Sequence, residues 1–278
     1  MTRNDFEFQI EKYTIQGQSY SSQKIQAVVV LVHGMGEYAR RYERTVIPVL
    51  LKESIAVVSY DQFGHGHSSG KKGHHPGFNY LLDAVEQSIV KAQALYPSKP
   101  VFLYGHSMGG NVVINYALRR TNTLKGLIVT SPFLRLAFKP PAYKMIFGKL
   151  IDQIFPSLTM PNELDLESLS KDQKEIEAYK NDPLVHDRVS TSYSLRLIET
   201  GEWALKNTSR LHTPMILMHG VKDRITSYEA SNEFAKHAGD QVTFVTVENG
   251  FHELHHDLEK EQVLGQICEW IKKQIIKP

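Results

Sequence analysis

Cysteine is almost missing from this 278-residue chain: Cys268 is the only one. One thiol excludes an internal disulfide framework and fits a reducing compartment. A charge excess is missing too. Lysine and arginine number 32 against 30 acidic residues, which leaves a net charge of +2. No basic surplus exists to release counterions from phosphates, so nucleic acid is not an expected partner. The stretch from Met1 to Phe8 lacks the basic segment and apolar core of a secretory signal. No apolar run approaches the length of a membrane span, and neither repeats nor low-complexity tracts occur. What remains is a length that suits one large α/β domain, or one with an insertion, in the cytoplasm.

What is present is a rhythm of short apolar runs. Phe6–Ile15 and Ser19–Gln26 read as an opening antiparallel pair. Ala27–Val32, Ile55–Tyr60, Val101–Tyr104, Gly126–Thr130, Met215–His219 and Val242–Val247 then read as buried strands separated by helical stretches. That alternation predicts an α/β architecture, a mostly parallel eight-stranded sheet with helices on both faces. The segment from Pro132 to Pro183 breaks the rhythm, because it holds six of the twelve prolines and no strand pattern. It is expected to be an inserted helical cap at 132–185, with the core formed by 1–131 and 186–278. Within the cap, a helix starting near Pro141 would carry Phe147, Leu150, Ile151, Ile154 and Phe155 on one stripe, widened by Met145 and Ile146. Such a stripe serves packing, an acyl-chain tunnel or a lipid-facing lid. The run from Ser170 to Gln173 has capping-box form for a second helix reaching about Lys180.

The chemistry concentrates where one strand ends. After Val101–Tyr104 the chain reads Gly105, His106, Ser107, Met108, Gly109, which is G-x-S-x-G in a strand-turn-helix setting. A serine on so sharp a turn is strained and tolerates only small residues two positions away. A serine hydroxyl becomes a nucleophile when a histidine takes its proton and a carboxylate orients that histidine. Asp223 follows the strand at Met215–His219, and His252 follows the strand at Val242–Val247. Order and loop position together suit a Ser107–Asp223–His252 triad, although Asp223 alone reads as a loop or capping residue and His252 alone as one of thirteen histidines. The loop His33-Gly34-Met35-Gly36 follows an early strand and has the H-G-x-G form that supplies an oxyanion donor. Met35 and Met108 would donate through their backbone N–H groups, each worth about 3–4 kcal/mol at a transition state. On its own this loop also reads as a glycine-rich turn.

A second motif overlaps the first. His252, Glu253 and His256 spell H-E-x-x-H, the pattern of zinc proteases. That pattern needs both histidines inside a helix and a third ligand downstream. Asn249-Gly250 breaks the chain just before His252, so no metal and no cofactor are expected. His256 is predicted on the solvent face of a last helix spanning Asp257 to Ile276, and Cys268 packs in that helix.

With these motifs assembled, the sequence resembles the monoacylglycerol lipase and lysophospholipase branch of the α/β-hydrolases, a serine aminopeptidase-like group. The segment from His33 to Tyr42 is similar to that branch's H-G-x-G-E-x-x-x-R-Y. Asp61 to Gly70 is similar to its D-x-x-G-H-G-x-S-x-G, and Asn181 to Leu184 to its N-D-P-L. The elbow and the loops carrying Asp223 and His252 match as well. The resemblance implies an α/β-hydrolase fold, a mobile cap with an apolar acyl tunnel, and a polar head-group pocket at Glu37, Arg41 and His255. It also implies a lipid ester as substrate, monoacylglycerol before lysophospholipid or a short-chain ester, and a peripheral membrane contact through the cap. A hydrolase-like binding protein without turnover is the reading from another class.

Overall fold

The computed structural model describes residues 1–277, apart from the side chains of Lys144 and Met145, so the argument from Met145 lies outside the described residues. The strands are β1 (Thr2–Ile10), β2 (Tyr13–Ser21), β3 (Ala27–Val32), β4 (Ile55–Tyr60), β5 (Val101–His106), β6 (Gly126–Thr130), β7 (Thr159–Pro161), β8 (Arg188–Ser190), β9 (Met215–Gly220) and β10 (Val242–Val247). The helices are α1 (Val46–Lys52), α2 (Phe78–Leu95), α3 (Met108–Arg119), α4 (Ala142–Ile154), α5 (Gln173–Lys180), α6 (Thr191–Lys206), α7 (Tyr228–Ala238) and α8 (Lys260–Ile276). Eight strands form one sheet in the order β1-β2-β4-β3-β5-β6-β9-β10. β1–β2 and β2–β4 pair antiparallel and the remaining neighbours pair parallel.

The central strands are apolar throughout because both of their faces are covered. Along β3, Val28, Val30 and Val32 join one core with Val58, Leu103 and Val113. Ala27, Val29 and Leu31 face the other way, toward Tyr42, Ile47 and Trp270. Each fully buried aliphatic side chain contributes about 1.5–3 kcal/mol, so this strand anchors both layers. Cys268 lies in the second core, beside Ile267 and Trp270.

The opening hairpin differs from expectation. Its turn falls at Glu11 and Lys12, where Glu11 adopts φ 51°, and no glycine or proline marks it in the sequence. Gly17 is not a turn residue: it pairs with Phe6 inside the ladder, where a Cβ would stand 2.5 Å from the phenyl ring.

Between β6 and α6 the chain leaves the sheet and forms α4, β7, α5 and β8. Pro141 precedes α4 as its cap. Asp172, not Ser170, caps α5 by accepting from Lys174 N–H at 3.1 Å. Ser170 instead donates to the His256 carbonyl at 3.0 Å and so ties the cap to the loop carrying the histidines. Arg135, near the start of the insertion, bonds to Glu202 on α6 and Glu233 on α7. The predicted stripe divides: Ile151 is half-buried, whereas Ile154 at the end of α4 and Phe155 just past it are 69% and 61% exposed. Among the described residues, no helix is long and apolar enough to cross a membrane.

Candidate active site

Ser107 stands between the end of β5 and the first residue of α3, with φ 53° and ψ −116°. This left-handed turn costs about 1–3 kcal/mol, offset by the elements clamping both sides. Ser107 N–H donates to the Thr130 carbonyl at 3.0 Å, and its own carbonyl accepts from Asn111 N–H and Phe133 N–H. The flanking glycines are needed sterically. A Cβ on Gly105 would collide with the Gly109 carbonyl, and one on Gly109 with the Val32 carbonyl.

The structure brings the three predicted polar partners together. Ser107 Oγ lies 2.9 Å from His252 Nε2, and His252 Nδ1 lies 2.7 Å from Asp223 Oδ2. Asp223 Oδ1 accepts from Ile225 N–H at 2.8 Å and Thr226 N–H at 3.0 Å. Thr226 Oγ1 lies 2.8 Å from Asp223 Oδ2 and 3.1 Å from the Ser131 carbonyl, so its single hydrogen serves one of them. Burial by itself would raise the Asp223 carboxyl, but His252 and His219 together hold it well below the usual carboxylate range. Burial likewise opposes ionisation of His252, and the neighbouring Asp223 charge overcomes that and raises it. His106, packed with its ring 4.9 Å from that of His252, is held neutral by burial and by His252.

Met35 follows β3 and lines the cavity at Ser107, and Met108 opens α3, where its N–H has no helical acceptor four residues back. Glu37 bears on this loop. Its Oε1 accepts from Gly34 N–H at 2.6 Å and Tyr42 O–H at 2.8 Å, and its Oε2 accepts from Arg41 at 2.6 Å.

The predicted head-group trio divides. Glu37 lines the cavity, whereas Arg41 and His255 are not among its lining residues. Arg41 is buried between Glu37 and Glu253, bonding Glu253 at 2.8 and 3.0 Å, and its guanidinium covers the Tyr179 ring at 4.6 Å. Burial would lower its proton affinity, but the two carboxylates raise it well above the ordinary value. His255 is fully buried, stacked on Tyr42 at 4.7 Å, and burial with His256 and His106 nearby holds it neutral.

Of the H-E-x-x-H residues, His256 falls differently from expectation. His256 is buried, not on a solvent face, because α8 begins only at Lys260 and the preceding loop folds inward. Its Nδ1 lies 2.9 Å from Glu253 Oε2. His252 precedes the helix and is engaged with Ser107 and Asp223. Among the described residues, no group of three His, Cys, Asp or Glu is arranged to hold a metal ion.

The cavity above Ser107 measures about 240 Å³. Ser107, His252, Glu37 and Glu253 line it together with the apolar Phe133, Leu136, Leu164, Leu197 and Ile198. A second cavity of about 440 Å³ shares Leu136, Phe138 and Ile198 with it and runs under α4 past Phe147 and Ile151. Tyr179 and His219 are neighbours of the site that sequence reasoning missed, and Glu253, read there only within H-E-x-x-H, lines the cavity. His219 carried a signal, four residues before Asp223 at the end of the same strand.

A family model described as serine aminopeptidase, S33, matches residues 23–259. An uncharacterized abhydrolase domain-containing protein of Dictyostelium discoideum is 34% identical over 252 residues, 90% of this chain. The chain spans 26% of the length of that relative. A monoglyceride lipase homolog of monkeypox virus is 29% identical over 252 residues, covering 90% of either chain. The crystal structure of a monoacylglycerol lipase from Paleococcus ferrophilus superposes with a TM-score of 0.84 at 30% identity, covering 99% of this chain and 100% of that one.

Proposed function

The chain belongs to the serine aminopeptidase (S33) family within the α/β-hydrolases, and from that premise we propose that it cleaves monoacylglycerol to glycerol and a fatty acid. The observation that carries this reading is the Ser107–His252–Asp223 chain opening into a cavity lined by two carboxylates and by apolar side chains. Ser107 Oγ attacks the ester carbonyl while His252 Nε2 takes its proton, and Asp223 holds the resulting imidazolium. The N–H groups of Met35 and Met108 receive the oxyanion. Collapse expels the glycerol oxygen, which takes the proton from His252. Water then repeats the sequence on the acyl-enzyme and releases the acid.

The head group lies against Glu37 and Glu253. A carboxylate has about four acceptor positions. Glu37 uses three and Glu253 three, so each has room for one substrate hydroxyl. Arg41 neutralises only part of this acidity, which disfavours a phosphate in the same place. The acyl chain follows the apolar wall toward the second cavity. The exposed apolar side chains of α4 give the cap a peripheral contact with a lipid surface, and the inserted segment 132–185 acts as a lid over a core of 1–131 and 186–278.

A hydrolysis panel tests the reading, with monoacylglycerols, diacylglycerols, lysophosphatidylcholine and p-nitrophenyl esters of graded length. Monoacylglycerol should be cut fastest, because a pocket built for hydroxyls leaves its own polar groups unpaired when they are lacking. Faster turnover of lysophosphatidylcholine would assign a lysophospholipase, and a preference for short esters a carboxylesterase. Failure of a fluorophosphonate probe to label Ser107 would leave a hydrolase-like binding protein.

A further inference from the structure

Five side chains form one line through the buried acid. Ser107, His252 and Asp223 make its first half. Beyond the same carboxylate oxygen, His219 Nε2 lies 3.1 Å from Asp223 Oδ2, and His219 Nδ1 lies 2.7 Å from Ser231 Oγ. Asp223 is thus flanked by two imidazoles, each backed by a serine hydroxyl. His219 and Ser231 are wholly buried and absent from the cavity wall, so neither touches a substrate.

The contacts fix the second imidazole's tautomer. A carboxylate and the Thr226 carbonyl, 3.2 Å away, both face Nε2, so Nε2 carries the hydrogen. Nδ1 is then an acceptor, and Ser231 O–H donates to it. We propose that His219, held in this tautomer by Ser231, is a positioning residue that donates to Asp223 Oδ2 and tempers the carboxylate's pull on the His252 proton. This rests on the reading of Asp223 as the group that orients His252.

The orientation of the carboxylate does not depend on His219, because Ile225 N–H and Thr226 N–H hold the opposite oxygen. What His219 changes is the charge left for His252. Each donor on a carboxylate stabilises its ionised form and makes it a weaker base. Without His219, Oδ2 binds the His252 proton harder, and His252 becomes neutral only at higher pH. The other groups facing the line stay in place: Glu253 and Glu37 toward His252, His106 beside its ring, and Tyr228 edge-on to His219 at 6.0 Å.

The test compares pH profiles of kcat/KM for His219→Leu, His219→Gln and Ser231→Ala, each first checked for folding by its thermal transition. His219→Leu should move the acid limb upward by about half to one pH unit, with the plateau within about threefold of the parent. His219→Gln keeps an N–H donor near the same oxygen and should restore the parent limb. Ser231→Ala, which removes only the tautomer lock, should shift the limb upward by less than His219→Leu. A limb unchanged or moved downward in folded His219→Leu would overturn the proposal, as would a His219→Gln profile matching His219→Leu. If His219→Leu does not fold, an unmoved limb in Ser231→Ala overturns it. Asp223→Asn separates the two ideas. Near-parent activity in that variant would sink the triad reading itself, whereas an inactive Asp223→Asn beside an unshifted His219→Leu sinks only the role of His219.

Discussion

Below the cavity, polar side chains are buried and bonded to one another, whereas above it apolar side chains stand in solvent. Asp223, His252, Glu253 and Arg41 are all buried and each is engaged with at least one of the others or with Ser107. At the end of α4, Ile154 and the following Phe155 are exposed and contribute to no core. The difference is physical. Charged groups withdrawn from water stay ionised only when every partner is fixed, so the sheet edge is rigid by necessity. An exposed apolar helix carries no such constraint. Chemistry is therefore expected to fail steeply when the lower region is altered and gently when the upper one is.

The largest effect tests the lower region directly. Ser107→Ala should fold normally and lose about six orders of magnitude in kcat, read from ester hydrolysis at saturating substrate. Residual turnover of a few per cent would show that another group is the nucleophile. Asp223→Asn should cost about 10⁴-fold in kcat with little change in KM, because the wrong tautomer of His252 would face Ser107.

Glu253 lies as deep as Asp223, yet its partner is a cation. Burial would raise its carboxyl, but Arg41 and His256 hold it well below the usual range. Arg41→Met leaves Glu37 and Glu253 without their counter-ion and should cost about 3–5 kcal/mol of stability in urea denaturation. Unchanged stability with a selective loss of monoacylglycerol turnover would instead return Arg41 to the head group.

Acid should act on both functions of the buried histidines. Burial holds His33 at about 4 and His75 at about 3. Above about pH 6.5 neither the folded nor the unfolded chain protonates them, and no penalty arises. Below it the unfolded chain takes up protons that the folded chain refuses, so stability falls with pH, by about 2 kcal/mol for each histidine at pH 5. Urea midpoints at pH 7.5 and 5 measure this, and His75→Leu should flatten the decline. His252 titrates in the opposite sense, being raised by Asp223, so activity should fade on acidification before the fold does. Loss of the fold at higher pH than loss of activity would contradict that order.

Legibility followed the same division. Most central strands were readable to within two residues, because burial on both faces demands uninterrupted apolar runs. Ser107, Asp223 and His252 were readable because each follows such a strand, and glycines mark the elbow. The burial of Arg41 and His255 away from the cavity wall was not legible, because a motif fixes position in the chain but not which side of a loop faces the cavity. The Glu11–Lys12 turn was hidden because a left-handed glutamate leaves no compositional mark. The outward stripe on α4 was ambiguous in principle, since the same spacing of apolar residues serves a core and a lipid surface.

The smallest expected effect tests the cap by itself. Ile154 at the end of α4 and Phe155 directly after it are exposed and line neither the cavity over Ser107 nor its neighbour. Replacing both with serine removes no buried contact, so the thermal transition should barely move. If these side chains only face water, turnover of every substrate should be unaffected. If they enter a lipid surface, the double variant forfeits the transfer free energy of two partly buried apolar side chains, about 1.4 kcal/mol or more. Binding to phosphatidylcholine vesicles, measured by co-sedimentation, should then weaken about tenfold. Hydrolysis of vesicle-borne monoacylglycerol should fall with it, while hydrolysis of soluble p-nitrophenyl butyrate stays at the parental rate. Equal losses on both substrates would place the two residues in the folding or closure of the cap, and no loss on either would remove the membrane contact from the account.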